Sequence, residues 1–262
     1  MVDTASLELD GVREIALFTK GSSTYVIVVA EVDDGFEIID ISNPEDPTSV
    51  GRCSDGGAEC GGTRLNHASD VVVTTIGGTT YAVLLAYVDN GISIFDISNP
   101  SSPNQVGNMG SGGSQKLKEG WGLAVAEFGG KTYAVVVGVD DGIAIIDIST
   151  PSSPVYVSEI EDDADKELEY GRDVEVATIN GRTYAFVAAV DDDALAIIDI
   201  SNPSSPVYAG EVEDDSNKGG CTAVQVCLDG AKGVVITELF GNTYAVVTGH
   251  DDDGIEIIRV MG

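Results

Sequence analysis

Tyr133-Ala-Val-Val-Val-Gly-Val-Asp-Asp-Gly-Ile-Ala-Ile-Ile-Asp-Ile-Ser-Thr-Pro-Ser-Ser-Pro154 decides the fold, because close copies of it start at Tyr25, Tyr81 and Tyr184 and a shortened copy starts at Tyr244. Five copies at a period of about 50 to 60 residues mark an array or a propeller, in which each repeat is one supersecondary unit. Within a copy the apolar residues alternate, as in Asp173-Val-Glu-Val-Ala-Thr178 and Tyr184-Ala-Phe-Val-Ala-Ala189, and Val, Ile and Tyr dominate. That pattern predicts strands, and no segment sustains a helical period.

The first two strands of each copy meet at Gly21-Ser22, Gly77-Gly78, Gly129-Gly130, Asn180-Gly181 or Gly241-Asn242. These residue types tolerate the positive φ of tight hairpins. The second and third strands meet at an acidic turn: Asp33-Asp34-Gly35, Asp89-Asn90-Gly91, Asp140-Asp141-Gly142, Asp191-Asp192-Asp193-Ala194 or Asp251-Asp252-Asp253-Gly254. The third strand stops before Pro44, Pro100, Pro151 or Pro203, since proline cannot donate to a ladder and keeps its predecessor extended. A second proline, at 47, 103, 154 or 206, opens a fourth strand such as Val155–Ile160. Each copy is therefore a four-stranded antiparallel meander. The fifth copy reaches Gly262 after three strands, and Ala5-Ser-Leu-Glu-Leu9 stands before the first copy without a repeat of its own. The expectation is an all-β, five-bladed β-propeller forming one domain, with blades at about 12–58, 68–110, 121–161, 172–213 and 231–262 plus 5–10. The N-terminal strand would pair into the last blade and leave no open edge.

The repeated core resembles the LVIVD repeat family, β-propeller repeats of many bacterial and archaeal surface proteins. The residues that carry the resemblance are Asp34-Gly35 through Val50, Asn90-Gly91 through Val106, Asp141-Gly142 through Val157 and, more loosely, Asp193-Ala194 through Val207. Ala194 replaces Gly in the fourth copy, and Arg259-Val260 replaces Asp-Ile in the fifth. The resemblance implies the fold and a cell-surface setting, and it carries no defined reaction or ligand.

Against 44 Asp and Glu stand 13 Lys and Arg, a net charge of −31. Nucleic-acid backbones are bound by basic groups that displace counterions, so no nucleic acid partner is expected, and anionic membranes are disfavoured for the same reason. No apolar run of about 18 residues occurs, so membrane insertion is not expected. Met1-Val-Asp-Thr has neither a basic n-region nor an apolar h-region, so no secretion signal is read in this chain. The four cysteines form two local pairs in Gly-rich loops, Cys53 with Cys60 and Cys221 with Cys227. Local pairs in loops fit disulfides, although four cysteines allow other connectivities. Zinc is the rival reading, but neither loop has a Cys-x2-Cys knuckle and the second has no nearby His. Disulfides would place the chain in an oxidising compartment, extracellular or at the cell surface.

A meander puts the acidic turns on the same face as the long links between copies. Asp33, Asp34, Asp89, Asp140, Asp141, Asp192 and Asp252 would share that face with Glu14, Asp70 and Asp173, each placed 11 residues before its Tyr at the start of an inner strand. Asp in such turns commonly holds backbone amides. Crowded oxygen ligands also suit Ca2+ or Mg2+, though no turn has EF-hand spacing, so a cation would need ligands from neighbouring blades. An enzyme is the other class. Glu14, Asp70 and Asp173 are three acids from three blades, as a carbohydrate-active hydrolase with paired carboxylates would require. The copies differ at His67, Trp121, Tyr170 and Arg172, which makes these the ligand-binding candidates. The leading expectation is a non-catalytic binding or assembly module that takes a protein or carbohydrate ligand on the acidic face, or that self-assembles.

Overall fold

The computed structural model describes residues 9–57, 60–61, 63–111, 117–139, 142–163, 166–213, 228–251 and 253–260. The first sheet holds β1 (Val12–Lys20), β2 (Ser23–Ala30), β3 (Gly35–Asp40) and β4 (Thr48–Ser54). The second holds β5 (Ala68–Ile76), β6 (Thr79–Ala86), β7 (Gly91–Asp96) and β8 (Asn104–Gly110). The third holds β9 (Gly120–Phe128), β10 (Lys131–Gly138), β11 (Gly142–Asp147) and β12 (Val155–Glu161). The fourth holds β13 (Gly171–Ile179), β14 (Arg182–Ala189), β15 (Ala194–Asp199) and β16 (Val207–Glu213), and the fifth β17 (Ala231–Leu239), β18 (Asn242–Gly249) and β19 (Gly254–Val260). Chain neighbours pair in every sheet. Among the described residues there is no helix, and the fifth sheet has three strands. Residues 5–8, which were expected to complete it, lie outside the described residues.

The recurring Thr-Tyr and Asp-Ile-Ser motifs are two halves of one joint. Tyr25, Tyr81, Tyr133 and Tyr184 lie opposite Asp40, Asp96, Asp147 and Asp199 across the second and third strands. Asp40, Asp96 and Asp199 accept the amides of Ser42, Ser98 and Ser201 at 2.8, 2.8 and 2.9 Å. Those serine hydroxyls accept the amides of Thr24, Thr80 and Thr183 in turn. The chain is thereby turned out of the third strand with its backbone donors satisfied. In the fifth copy Tyr244 faces Arg259 instead, and Arg259 donates to Asn242. Lys131 with Asp147 and Arg182 with Asp199 make the corresponding pair in the third and fourth copies, so the charge has changed strands.

The chain forms two compact units, residues 1–123 with 148–155, and residues 124–147 with 156–262. In the first, Phe18, Ile27, Phe36 and Ile38 pack with Leu65, Val71, Leu84 and Phe95, and Phe36 meets Phe95 edge-on at 5.0 Å. The Cys53–Cys60 disulfide, with Cα atoms 5.7 Å apart, belongs to this core. A Cβ on Gly51 would stand 2.0 Å from the Pro100 carbonyl oxygen, so only glycine lets the fourth strand approach the next proline turn. Among the described residues of the second unit, two cores stand out. One is built on Val135, Val137, Ile143, Ile145, Val187 and Ile198, the other on Phe186, Leu195, Leu228, Val234 and Val247. Its β19 leaves Ile255 and Ile257 more than half exposed.

Candidate functional site

The acidic turns are built as two hydrogen-bond staples. The first acid reaches the link that enters its own sheet: Asp33 accepts the amide of Asp10 at 2.6 Å, Asp89 that of Asn66 at 3.1 Å, and Asp192 that of Glu169 at 2.6 Å. The second reaches the link to the following copy: Asp34 accepts the amide of His67 at 2.8 Å, Asn90 that of Glu119 at 2.9 Å, and Asp193 that of Gly230 at 2.8 Å. Asp34, Asn90 and Asp193 adopt the left-handed conformation, φ 52°, 52° and 53°, which Asp and Asn tolerate better than most residues. Asp140, Asp141 and Asp252 lie outside the described residues, as do Cys221 and Cys227.

The acids at the inner-strand starts also hold backbone. Glu14 accepts the amide of Ile15 at 2.9 Å. Asp70 takes the amide of Val71 on one oxygen and that of Leu123 on the other, at 2.6 and 2.7 Å. Asp173 does the same with Val174 and Val234, both at 2.8 Å. Leu123 and Val234 follow Gly122 and Gly233, which occupy the corresponding register in the next copy. The alternation of Asp and Gly is thus a reach from one copy into its successor, with a Cβ on Gly233 only 3.9 Å from an Asp173 oxygen.

Around these staples the copies diverge at three registers. The residue before the first strand is Gly11, His67, Glu119, Tyr170 or Gly230, and all five are left-handed. Bulky residues rarely accept that conformation, and such strain gathers at functional sites. The second residue of the first strand is Arg13, Ser69, Trp121, Arg172 or Lys232. Register shifts at Val12/Ile15, Ala68/Asp70, Gly171/Asp173 and Ala231/Gly233 mark a β-bulge there, a device that re-aims a side chain. The residue after the second strand is Glu31, Tyr87, Val139, Val190 or His250.

In the first unit these side chains join. Arg13 pairs with Glu31, and His67 Nδ1 lies 3.2 Å from Glu31. The Arg13 guanidinium sits 5.4 Å from the centre of the half-buried Trp121 ring, and Tyr87 packs on Trp121 at 4.8 Å. Tyr87 Oη donates to Glu119 at 3.1 Å. The result is a mixed-charge, aromatic surface whose indole is braced by a cation. In the second unit Tyr170 caps β14 through its carbonyl, which takes the amide of Val190 at 3.2 Å, and Arg172 is half-buried beside it. His250 pairs there with Asp251 at 2.7 Å. The link before β13 carries Glu167, whose amide donates to Tyr208 Oη at 3.1 Å. Partial burial, followed by the charges of Asp192 and Glu213, pushes the Glu167 carboxyl up to about 7.

Sequence reasoning singled out His67 and Trp121 and did not single out Arg13, Glu31, Tyr87 or Glu167. The first three stand at registers where the copies disagree, which was the available signal. Among the described residues, no three His, Cys, Asp or Glu side chains converge to hold a metal ion.

Residues 23–55, 67–110, 129–162 and 173–214 match the LVIVD repeat. No match to the sequence is found among curated proteins. The fold is similar to that of a functionally unknown protein from Desulfotomaculum acetoxidans, at 13% identity and a TM-score of 0.61 over 97% of this chain and 73% of the other. A protein from Lactobacillus plantarum is similar at 13% identity and 0.59, over 95% and 70%. A thermostable family-43 glycoside hydrolase is similar at 14% identity and 0.54, over 100% and 93%.

Proposed function

Since this chain belongs to the LVIVD repeat family, we propose that it is a non-catalytic, extracellular or cell-surface β-propeller that binds a protein or carbohydrate ligand on its loop face. One observation carries this reading: the copies depart from one another at three registers at one end of their strands, and in the first unit those departures make the Arg13, Glu31, His67, Tyr87 and Trp121 cluster. A scaffold that repeats while its loop-end side chains vary is the arrangement of a binding surface. The buried Cys53–Cys60 disulfide supports an oxidising compartment. In this reading the sheets form one domain, a five-bladed ring closed by residues 5–10 beside β19. The three-stranded fifth sheet and the fold likeness across nearly the whole chain support it.

Affinity electrophoresis through gels of soluble polysaccharides, with pull-downs of surface proteins beside it, tests the proposal. Retardation or capture should be lost in Trp121→Ala and Arg13→Ala and kept in Phe240→Gly. Binding unchanged in both loop-face variants would place the ligand elsewhere. The alternative is a carbohydrate-active hydrolase that uses Glu14, Asp70 and Asp173, a reading supported by the fold likeness to a family-43 glycoside hydrolase. Weighing against it, both oxygens of Asp70 and of Asp173 already accept amides. Release of nitrophenol from aryl glycosides that is abolished in Asp70→Asn and Asp173→Asn would replace the binding reading.

A further inference from the structure

The hairpins opening the first four sheets turn on Gly21, Gly77, Gly129 and Asn180, all left-handed, and Gly and Asn accept that backbone readily. The β17–β18 hairpin puts Phe240 there instead, at φ 52° with 98% of the residue exposed. A bulky side chain at this backbone is a true outlier, and nothing in the hairpin packs against it to compensate. Leu239 beside it is also exposed. Asn242 Nδ2 donates to the Phe240 carbonyl at 3.3 Å, and Arg259 donates to Asn242. The hairpin therefore presents an apolar knob with a guanidinium at its base, on a chain of net charge −31.

The same unit offers a matching hollow. A cavity of about 240 Å³ between β13 and β17 is lined by Val176, Ile179, Ile236 and Thr243, together with Glu175 and Glu238. Its volume is below the roughly 300 to 1,000 Å³ of small-molecule pockets, which leaves room for a side chain. The lining mixes aliphatic side chains with threonines and two carboxylates, so it offers contacts to an aromatic ring and opposite charge to a guanidinium. Knob and hollow share one hairpin, since Glu238 and Thr243 flank the Phe240 turn. A patch that contains both partners of its own contact is what a two-fold, isologous interface requires.

We propose that Phe240 of one copy enters the hollow between β13 and β17 of a second copy, with Arg259 meeting Glu238, and the reverse contact forming at the same time. This is a self-association surface, independent of the loop-face ligand. The surrounding negative charge holds copies apart at low salt and is screened as salt rises, so the dimer tightens with NaCl.

Sedimentation equilibrium of the full chain at about 0.15 M and about 0.5 M NaCl, where screening lengths differ, tests it. Wild type should show a monomer–dimer equilibrium that tightens at the higher salt. Phe240→Gly should weaken it by at least about tenfold without lowering the melting temperature, because glycine suits the left-handed turn. Arg259→Glu should also weaken it, and adding Glu238→Lys to that variant should restore it. A wild type that stays monomeric at every loading and salt overturns the proposal. So does a Phe240→Gly variant that dimerises like wild type, or a double variant no better than Arg259→Glu. Retention of monomeric wild type, but not Phe240→Gly, on phosphatidylcholine vesicles would make the tip a membrane anchor and would equally overturn the dimer.

Discussion

Asn90 does in the second copy what Asp34 and Asp193 do in the first and fourth: a side-chain oxygen takes the amide that begins the next sheet. What the position requires is therefore an acceptor on a left-handed backbone, not a charge. Asp193→Asn should leave stability near wild type. Asp193→Ala should lower it by about 1 to 3 kcal/mol, since the part-buried Gly230 amide loses its acceptor and alanine is strained at positive φ. Calorimetry at neutral pH separates the two, and an Asn variant as damaged as the Ala variant would mean that charge matters. The Asp-Gly pattern made the turn legible in the sequence. The reach into the next copy was not legible, because the two ends of each such bond lie about 30 residues apart along the chain.

The link before β13 shows an element with a pH response. Leu168 donates to Asp162 at 3.0 Å, Glu169 to Asp192 at 2.6 Å and Glu167 to Tyr208 at 3.1 Å, so the link is tied to its own start, to the acidic turn between β14 and β15 and to β16. Folded, Glu167 keeps its proton up to about pH 7, whereas its ordinary value is 4.5. The folded chain binds the extra proton between those limits, so this contribution to stability is full below about pH 4.5 and is lost as pH rises through about 7. Exchange of the Leu168 and Glu169 amides, followed by NMR, should quicken over that window beyond the intrinsic chemical rate. Glu167→Gln should flatten the response, and an unchanged pH dependence in that variant would assign it to another group. Strand boundaries, by contrast, were plain from residue type. β4, β8, β12 and β16 begin just after Pro47, Pro103, Pro154 and Pro206.

At the scale of the molecule, the proposed closure has a direct consequence. The last sheet has three described strands, with Ile255 and Ile257 exposed on β19, and an uncovered strand edge invites pairing with other chains. Removing residues 1–10 in the Phe240→Gly background, which silences the hairpin tip, should lower the melting temperature and promote association through β19. Equal melting curves and a monomeric truncated chain would count against a ring closed by that segment.

The sequence by itself determined the repeat, the strand order within each sheet and the turns, because period-2 burial, proline and glycine act within a few residues of themselves. It also marked where the copies disagree. Only the tertiary structure decided what those disagreements do: Arg13, Glu31, His67, Tyr87 and Trp121 come from three copies and meet through side chains. It likewise decided that Asp70 and Asp173 hold the strand of the next copy. Contacts between distant registers depend on how sheets pack on one another, and no local pattern of residues encodes that distance.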